Sequence, residues 1–297
     1  MRILITGASG LIGSALTSYF SKQGHEVISL SRRPGGERTI LWNPAAGQID
    51  GDPPADLDFV VNLAGDPIAA GKWNPEKKAR IRDSRVKGTR LLSEWLAKAE
   101  SKPRVLISGS AIGYYGDRRD EILTEDSTAG SDFLAEVGKE WESACASAAG
   151  AGIRVVNIRT GIVLSADGGA LAKMLPPFKM AAGGPMGSGR QWMSWIAVDD
   201  FGPALMHIIE EESLSGPVNL VAPNPVTNRE FAQTLGRALG RPAFIPAPPF
   251  ALRMMFGEFA DAVLLSSQRV IPRKLTDSGF IFQYRTLESA LRHILRK

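Results

Sequence analysis

Three glycines near the N-terminus have a spacing that can bind a phosphorylated nucleotide. Gly7 permits a sharp turn, Gly10 lets the backbone approach a pyrophosphate, and Gly13 lets a following helix pack closely on a strand. The helix N-terminus adds unpaired N–H groups and a positive dipole end. The same glycines would also fit a tight turn without a ligand, but a strand before them and a helix after them favour dinucleotide binding. The predicted binding residues here are Gly7, Ser9, Gly10, Leu11, Ile12 and Gly13.

The end of the second predicted strand discriminates between two dinucleotides. NAD-binding proteins usually have an acid there that holds the ribose hydroxyls, whereas this chain has Ser31, Arg32 and Arg33. Arginine binds a phosphate through paired hydrogen bonds, and a carboxylate would repel it. The alternative is a pair of solvated arginines at a strand end. We predict that these three residues bind NADP, with NAD the less favoured cofactor.

The elements that must position these residues alternate between strands and helices. Short apolar runs predict strands at 2–6, 26–31, 59–64, 104–110 and 153–164. Apolar positions three or four residues apart predict helices at 11–23, 75–99 and 131–148. Such alternation implies right-handed crossovers and a parallel sheet. The predicted fold class is α/β, a Rossmann-type doubly wound parallel sheet with a small, mostly helical C-terminal substrate lobe.

The pattern changes after residue 165. Residues 166–190 are rich in glycine, methionine and proline, and helix signals return at 228–240 and 249–266. We therefore predict two domains: an NADP-binding domain formed by 1–165 and 191–222, and a substrate lobe formed by 166–190 and 223–297.

Composition limits the classes of protein and partner. The chain has 297 residues, 44% of them hydrophobic, and a net charge of +4 that fits a small anionic ligand without indicating nucleic acid. The three histidines lie far apart, so we predict no metal site. The single cysteine, Cys145, excludes an internal disulfide and fits a reducing compartment. Without a signal peptide or a long apolar stretch, we expect a cytoplasmic protein with no membrane partner. The sequence does not predict an oligomeric state.

Several motifs connect the chain to a known family. The third strand ends in NLAG (62–65), and the fourth carries serines. With the glycine loop, these motifs resemble the extended short-chain dehydrogenase/reductase superfamily. More narrowly, the chain resembles its atypical epimerase-like branch, often labelled NAD-dependent epimerase/dehydratase or nucleoside-diphosphate-sugar epimerase. The motifs of that branch are GYYG (113–116), SRVKGT (84–89), RTGIVL (159–164), GGPMGSG (183–189), and RVIPRKL and GFIF within 269–282. The resemblance covers essentially the whole chain and implies no particular substrate.

The resemblance also implies further cofactor contacts. Ala64 and Gly65 are expected against the adenosine side, and Arg159 ends a strand near the crevice. Arg80 and Arg85 are expected to face the cofactor, unless they form an exposed basic helix face. The predicted residues of this group are Leu63, Ala64, Gly65, Arg80, Arg85, Lys139 and Arg159.

In this superfamily a serine orients the substrate oxygen, a tyrosine transfers the proton, and a lysine four residues later holds the nicotinamide ribose. Ser110 and Lys139 match the serine and the lysine, but Ala135 stands at the tyrosine position. One hypothesis is that Tyr114 or Tyr115 supplies the phenol from the loop after the fourth strand. The other is that both rings only pack the loop and that the usual proton transfer is absent.

The loop GGPMGSGRQWMSW (183–195) could present backbone N–H groups and Arg190 to an anionic substrate, or it could simply connect the lobe. The leading functional hypothesis is an NADP-dependent oxidoreductase or epimerase-like enzyme acting on an unknown small molecule. The predicted catalytic residues are Ser110, Tyr114, Tyr115 and Lys139. The alternative is a non-catalytic NADP(H)-dependent sensor or scaffold that binds another protein, and the alanine at 135 favours it.

Overall fold

A computed structural model describes residues 1–296, and its central feature is a mostly parallel sheet. The strands are β1 (Arg2–Thr6), β2 (Glu26–Ser31), β3 (Thr39–Asn43), β4 (Gln48–Ile49), β5 (Phe59–Asn62), β6 (Val105–Ala111), β7 (Ile122–Leu123), β8 (Arg154–Thr160), β9 (Ile162–Leu164), β10 (Trp192–Met193), β11 (Trp195–Ala197), β12 (Gly216–Leu220), β13 (Val226–Thr227) and β14 (Arg269–Val270). The helices are α1 (Leu11–Lys22), α2 (Pro75–Ala97), α3 (Phe133–Ser143), α4 (Ala146–Gly150), α5 (Gly169–Lys179), α6 (Val198–Glu210), α7 (Asn228–Leu239), α8 (Pro249–Phe256), α9 (Arg273–Asp277) and α10 (Leu287–Ile294).

The strand order confirms the predicted fold class. Within the described residues, eight strands pair in the order β12-β8-β6-β5-β1-β2-β3-β4, and every pair is parallel except β3 with β4. Helices cover both faces, so the inner strands β1, β5 and β6 are almost wholly buried and apolar except toward their carboxyl ends. Phe20 of α1 and Phe201 of α6 pack on one face, whereas Leu92 of α2 packs on the other.

A second apolar core lies beyond the sheet. Trp195, Phe231 and Leu291 are buried together with residues of α5, α7 and α10. Two residues from the C-terminal segment, Leu275 and Phe282, pack into the core of the sheet. The C-terminal segment therefore contributes to both cores.

Several elements differ from the predicted ones. The strand predicted at 153–164 divides at Gly161, where a Cβ atom would lie 2.6 Å from the Ser194 carbonyl oxygen. The helix predicted at 131–148 is two helices, α3 and α4. The region predicted as a helix at 249–266 contains α8 and a π-helical turn, Ala260–Leu264. The antiparallel pair β3 and β4 was not predicted.

Among residues 1–296, no helix is both long enough and apolar enough to cross a bilayer.

Candidate functional site

The glycine loop forms the tight turn that its spacing predicts. Gly7 has a φ of +69°, a conformation that favours glycine, and its carbonyl accepts a 2.9 Å hydrogen bond from the Gly10 N–H. At Gly13 a Cβ atom would lie 2.2 Å from the Gly7 carbonyl oxygen, so any larger residue would force the helix off the strand. Ser9 and Gly10 are exposed at the start of α1, while Leu11 and Ile12 are half-buried. The first N–H groups of α1 therefore face an open turn.

The loop after β5 lies directly against the glycine loop. Thr6 Oγ1, at the end of β1, accepts hydrogen bonds from the Leu63 and Ala64 N–H groups, each at 3.0 Å. A Cβ atom on Gly7 would come within 3.0 Å of the Leu63 carbonyl group. The predicted cofactor residues of the two loops are therefore brought together at the carboxyl edge of the sheet.

The end of β2 leaves its two arginines free of the protein core. Arg32 and Arg33 are exposed, and the Arg33 N–H donates to Ser31 Oγ at 3.1 Å. Neither guanidinium has an ion-pair partner within the described residues, so both can meet an anionic ligand.

The two predicted arginines of α2 differ in their environment. Arg80 is exposed. The Arg85 guanidinium lies beneath Gly65, where a Cβ atom would come within 3.1 Å of it, and donates to the Asp66 carbonyl at 3.1 Å. Burial lowers the Arg85 pKa to about 10. Arg85 therefore supports the loop after β5, and Arg80 extends to solvent.

Strand register places three polar side chains in one row near the carboxyl ends of the strands. Ser110 on β6 is opposite Arg159 on β8, and Arg159 is opposite Asn219 on β12. A second row, Thr6, Asn62 and Ser108, crosses β1, β5 and β6. The register therefore determines which polar groups meet.

A buried ion pair holds the first row together. Arg159, whose side chain is 3% exposed, donates from Nε to Glu142 Oε1 at 2.8 Å and from Nη2 to Glu142 Oε2 at 2.9 Å. Ser110 Oγ donates to the same Glu142 Oε1 at 2.7 Å. Although burial lowers the Arg159 pKa, the hydrogen bonds that Arg159 donates to Glu142 contribute to raising it above its ordinary value overall. The Ser110 hydroxyl proton is thus directed to a carboxylate from α3.

The two neighbouring tyrosines have different environments. Tyr115 is fully buried; its hydroxyl donates to Asn219 Oδ1 at 2.6 Å and accepts from Arg159 Nη1 at 3.1 Å. Burial raises the Tyr115 pKa to about 12, against a smaller opposing effect of Arg159. Tyr114 is half-buried, and its ring lies 3.5 Å below the Arg159 guanidinium. The Tyr114 hydroxyl makes no hydrogen bond to any of residues 1–296.

Helix α3 presents small residues to the turn that carries these tyrosines. Ala135 is fully buried, and a Cβ atom on Gly138 would lie 3.3–3.5 Å from Tyr114. Lys139 lies one position further along the helix, and its side chain is 41% exposed. Its Nζ donates to Glu136 Oε1 at 2.6 Å. Ser110 and Tyr115 thus belong to one hydrogen-bond network through Glu142 and Arg159, and the Tyr114 ring packs against it. Lys139 lies outside this network and pairs with Glu136 on its own helix.

The loop after α5 places Arg190 at the surface. Gly187 and Gly189 have φ values of +59° and +70°, and the Arg190 N–H donates to Ser188 Oγ at 3.2 Å. The Arg190 side chain is exposed. It is therefore accessible to solvent, separate from the buried row.

Sequence reasoning missed Glu142, Asn219 and Glu125. The Asn219 and Lys274 N–H groups donate to Glu125 Oε1, whereas the buried Oε2 has no partner in the described residues. Burial raises the Glu125 pKa above its ordinary value. One signal for Glu142 was present in the sequence: an arginine at the end of a buried strand requires a counter-ion.

Comparison with known proteins identifies the family. Residues 3–221 match the model described as the NAD dependent epimerase/dehydratase family. Residues 247–294 match a second model, DUF1731, a domain of unknown function.

Relatives match over nearly the full length. An epimerase family protein of Mycobacterium leprae is 44% identical over 290 residues, covering 97% of this chain and 94% of the relative. The human epimerase family protein SDR39U1 is 39% identical over 298 residues, covering 99% of this chain and all of the relative. The crystal structure of human SDR39U1 isoform 2 with NADPH has a TM-score of 0.92 and 37% identity, covering 100% of this chain and 99% of that one. This chain belongs to the NAD dependent epimerase/dehydratase family.

Proposed function

We propose that this protein binds NADP(H) at the glycine loop and acts as an NADP(H)-dependent oxidoreductase or epimerase-like enzyme on a small molecule. The observation that carries the proposal is the open glycine turn beside two exposed arginines, Arg32 and Arg33. The NADPH in the crystal structure of the human relative supports the choice of cofactor.

The residues of this edge fit the dinucleotide. Gly7 and Gly10 leave room for a pyrophosphate at the N-terminus of α1. Gly13 lets that helix lie close to the turn, because a Cβ atom there would meet the Gly7 and Ala8 backbone. Arg32 and Arg33 would hold the 2′-phosphate of NADP(H), which NAD(H) lacks. When bound, the nicotinamide supplies or accepts a hydride.

Cofactor binding is tested by titrating the full chain with NADPH and NADH and following the fluorescence of the reduced nicotinamide. We expect NADPH to bind at least about tenfold more tightly, because a charge-assisted bond to the phosphate contributes about 1.5–3 kcal/mol. Equal affinities would remove the basis for the choice of NADP(H).

For the catalytic step we propose Tyr114 as the residue that donates or accepts the proton. Tyr114 has a half-buried ring and a hydroxyl without a protein partner in residues 1–296, whereas both hydrogen bonds of the Tyr115 hydroxyl are internal. The Arg159 guanidinium above the Tyr114 ring favours a developing negative charge on the phenol.

This role is tested by NADPH oxidation with a panel of aldehydes, ketones and sugar nucleotides. On a substrate found in this way, Tyr114→Phe should lower turnover by about a hundredfold or more while NADPH affinity is unchanged. Tyr115→Phe is the matched control: it should keep turnover and lose about 1–3 kcal/mol of stability through the buried partners it leaves. Full activity of Tyr114→Phe would exclude this role.

A second candidate is a non-catalytic NADP(H)-dependent sensor or scaffold. The observation that favours it is the internal use of the groups expected to be catalytic: Ser110 donates to Glu142, and Lys139 pairs with Glu136 on the helix surface. This candidate predicts NADPH binding, no turnover across the panel, and a protein partner whose binding depends on the cofactor's redox state. NADPH oxidation with any substrate of the panel would exclude it.

Neither candidate includes nucleic acid or a membrane as a partner. We expect both to operate in the reducing cytoplasm, which the single, buried thiol of Cys145 tolerates.

A further inference from the structure

A carboxylate lies close to the edge where an anionic cofactor would bind. Asp66 follows the loop that contacts Gly7, and its side chain is 30% exposed. Asp66 is the third residue after Leu63, whose carbonyl group is next to Gly7, so the two lie at most about 10 Å apart along the chain. That distance is about one Debye length at 0.1 M salt, within which charges still interact. An unpaired carboxylate here would repel the phosphates.

A buried lysine from the start of α2 neutralises this carboxylate. Lys77 Nζ donates to the Asp66 carboxylate and, at 2.7 Å, to the Pro67 carbonyl oxygen. The Lys77 side chain is only 5% exposed. Its backbone is fixed as well, because its N–H donates to the Asn74 side chain that caps α2. A lysine is rarely buried to this extent without a paired group that requires it.

The same helix holds the backbone of Asp66 from two further positions. The Asp66 N–H donates to Ser84 Oγ at 2.9 Å, and the Asp66 carbonyl accepts from Arg85 at 3.1 Å. Asp66 is thus fixed at its N–H, carbonyl and carboxylate by residues of one helix. Its charge stays near the glycine loop; Lys77 is its ion-pair partner, and the Arg85 guanidinium interacts with it electrostatically as well.

We propose that Lys77 is a positioning residue of the cofactor site: it fixes the loop 63–67 and cancels the charge of Asp66, so that an anionic dinucleotide can bind beside it. This inference rests on the proposed binding of NADP(H) and adds Lys77 and Asp66 to that site. Lys77 would thus support NADPH binding in two ways, by fixing the position of the loop and by cancelling a charge. Salt screens the effect of the charge but not the effect of the loop position.

The test compares NADPH affinity in four full-length variants at about 20 mM and 300 mM salt. The Debye length is longer than the separation of about 10 Å between Asp66 and Leu63 at the lower concentration, and shorter than it at the higher one. Lys77→Met removes the ion-pair partner of Asp66 and should weaken binding by roughly tenfold at low salt, with a smaller loss at high salt. Lys78→Met is the matched control. It removes the same charge from the next residue, whose Nζ pairs with Glu258 at 2.6 Å, and should stay within about twofold of wild type.

The other two variants separate charge from fold. Asp66→Asn/Lys77→Met removes both charges and should recover the part of the lost affinity that depends on salt, but not the part due to the missing Lys77 contact with Pro67. Asp66→Asn alone should bind NADPH at least as tightly as wild type, and it remains informative if Lys77→Met does not fold. Lys77→Met behaving like Lys78→Met, or Asp66→Asn binding more weakly than wild type, would overturn the inference. Failure of the wild-type protein to bind NADPH would instead overturn the proposed function.

Discussion

The glycine-loop edge and the row of Ser110, Arg159 and Asn219 both lie near the carboxyl ends of neighbouring strands, yet they are completed differently. The edge leaves N–H groups and the guanidiniums of Arg32 and Arg33 open to solvent. In the row, protein partners satisfy the Ser110 hydroxyl and the Arg159 guanidinium. The difference teaches that a shared position in a sheet does not imply a shared role: one region is ready for an external ligand, and the other is already satisfied.

The largest expected effect is on the stability of the row. Glu142→Ala removes the partner of a buried guanidinium and should lower the free energy of unfolding by about 3–5 kcal/mol. Glu140→Ala, on the same helix, breaks an exposed bidentate pair with Arg82 and should cost about 0–1 kcal/mol. Urea denaturation measures both. Similar losses in the two variants would show that the buried ion pair contributes no more to stability than the exposed one.

The next effect concerns the open edge. Arg32→Ala should reduce the preference for NADPH over NADH by about tenfold to a hundredfold, because it removes a charge-assisted contact worth about 1.5–3 kcal/mol. Its unfolding free energy should hardly change, since Arg32 is exposed. Arg38→Ala, an exposed arginine in the same segment, is the control and should leave the preference intact. If Arg32→Ala lost as much stability as Glu142→Ala, Arg32 would not be the free, ligand-binding side chain that the comparison describes.

A smaller effect separates two glycines of the same loop. Gly13→Ala should lose about 1–3 kcal/mol of stability as well as NADPH binding, because its Cβ would meet backbone atoms at 2.2 and 2.7 Å. Gly10→Ala should weaken NADPH binding with little loss of stability, because its nearest contact is at 3.3 Å. Thermal melting and NADPH titration distinguish the two. Wild-type stability in Gly13→Ala would mean that the turn is looser than its geometry indicates.

The smallest effect is a pH dependence next to the row. Burial raises the pKa of Glu125 in the folded protein, so the folded state binds more protons than the unfolded state above the ordinary value of 4.5. The stability of the wild-type protein relative to Glu125→Gln should therefore fall as pH rises from 4.5 through the raised pKa, and then become constant. Denaturation of both proteins between pH 4 and 8 measures this difference. A difference that increases with pH would exclude a buried carboxyl group with a raised pKa at 125.

The parts of the molecule that the sequence predicted are those determined by neighbours in the chain. The strands at 2–6 and 26–31 follow from apolar runs, as does the strand predicted at 59–64, which ends at Asn62, and the glycine turn follows from its spacing. The prediction of NADP(H) at the open edge also depends only on local residues, because a strand end and a loop are read directly from adjacent positions.

The buried row could not be predicted in this way because its members are distant in sequence. Glu142 lies 32 residues after Ser110 and 17 before Arg159, and only the register of β6, β8 and β12 brings them together. The β3 and β4 pair was missed for a related reason: its residues are mostly half-exposed, so no continuous apolar run marks it. The pairing of strands that are distant in sequence, more than local propensity, determines which polar groups bind each other and which remain open to a ligand.

The close approach of Tyr114 to Gly138 limits the substitutions that α3 can accept. Ala135 is fully enclosed, and the space beside Gly138 is filled by a tyrosine from another part of the chain. A tyrosine introduced at 135 would therefore meet an occupied site rather than an empty one. We therefore expect a phenol at 135 to require a second change nearby, so that no single substitution at this helix would place a tyrosine there without displacing its neighbours.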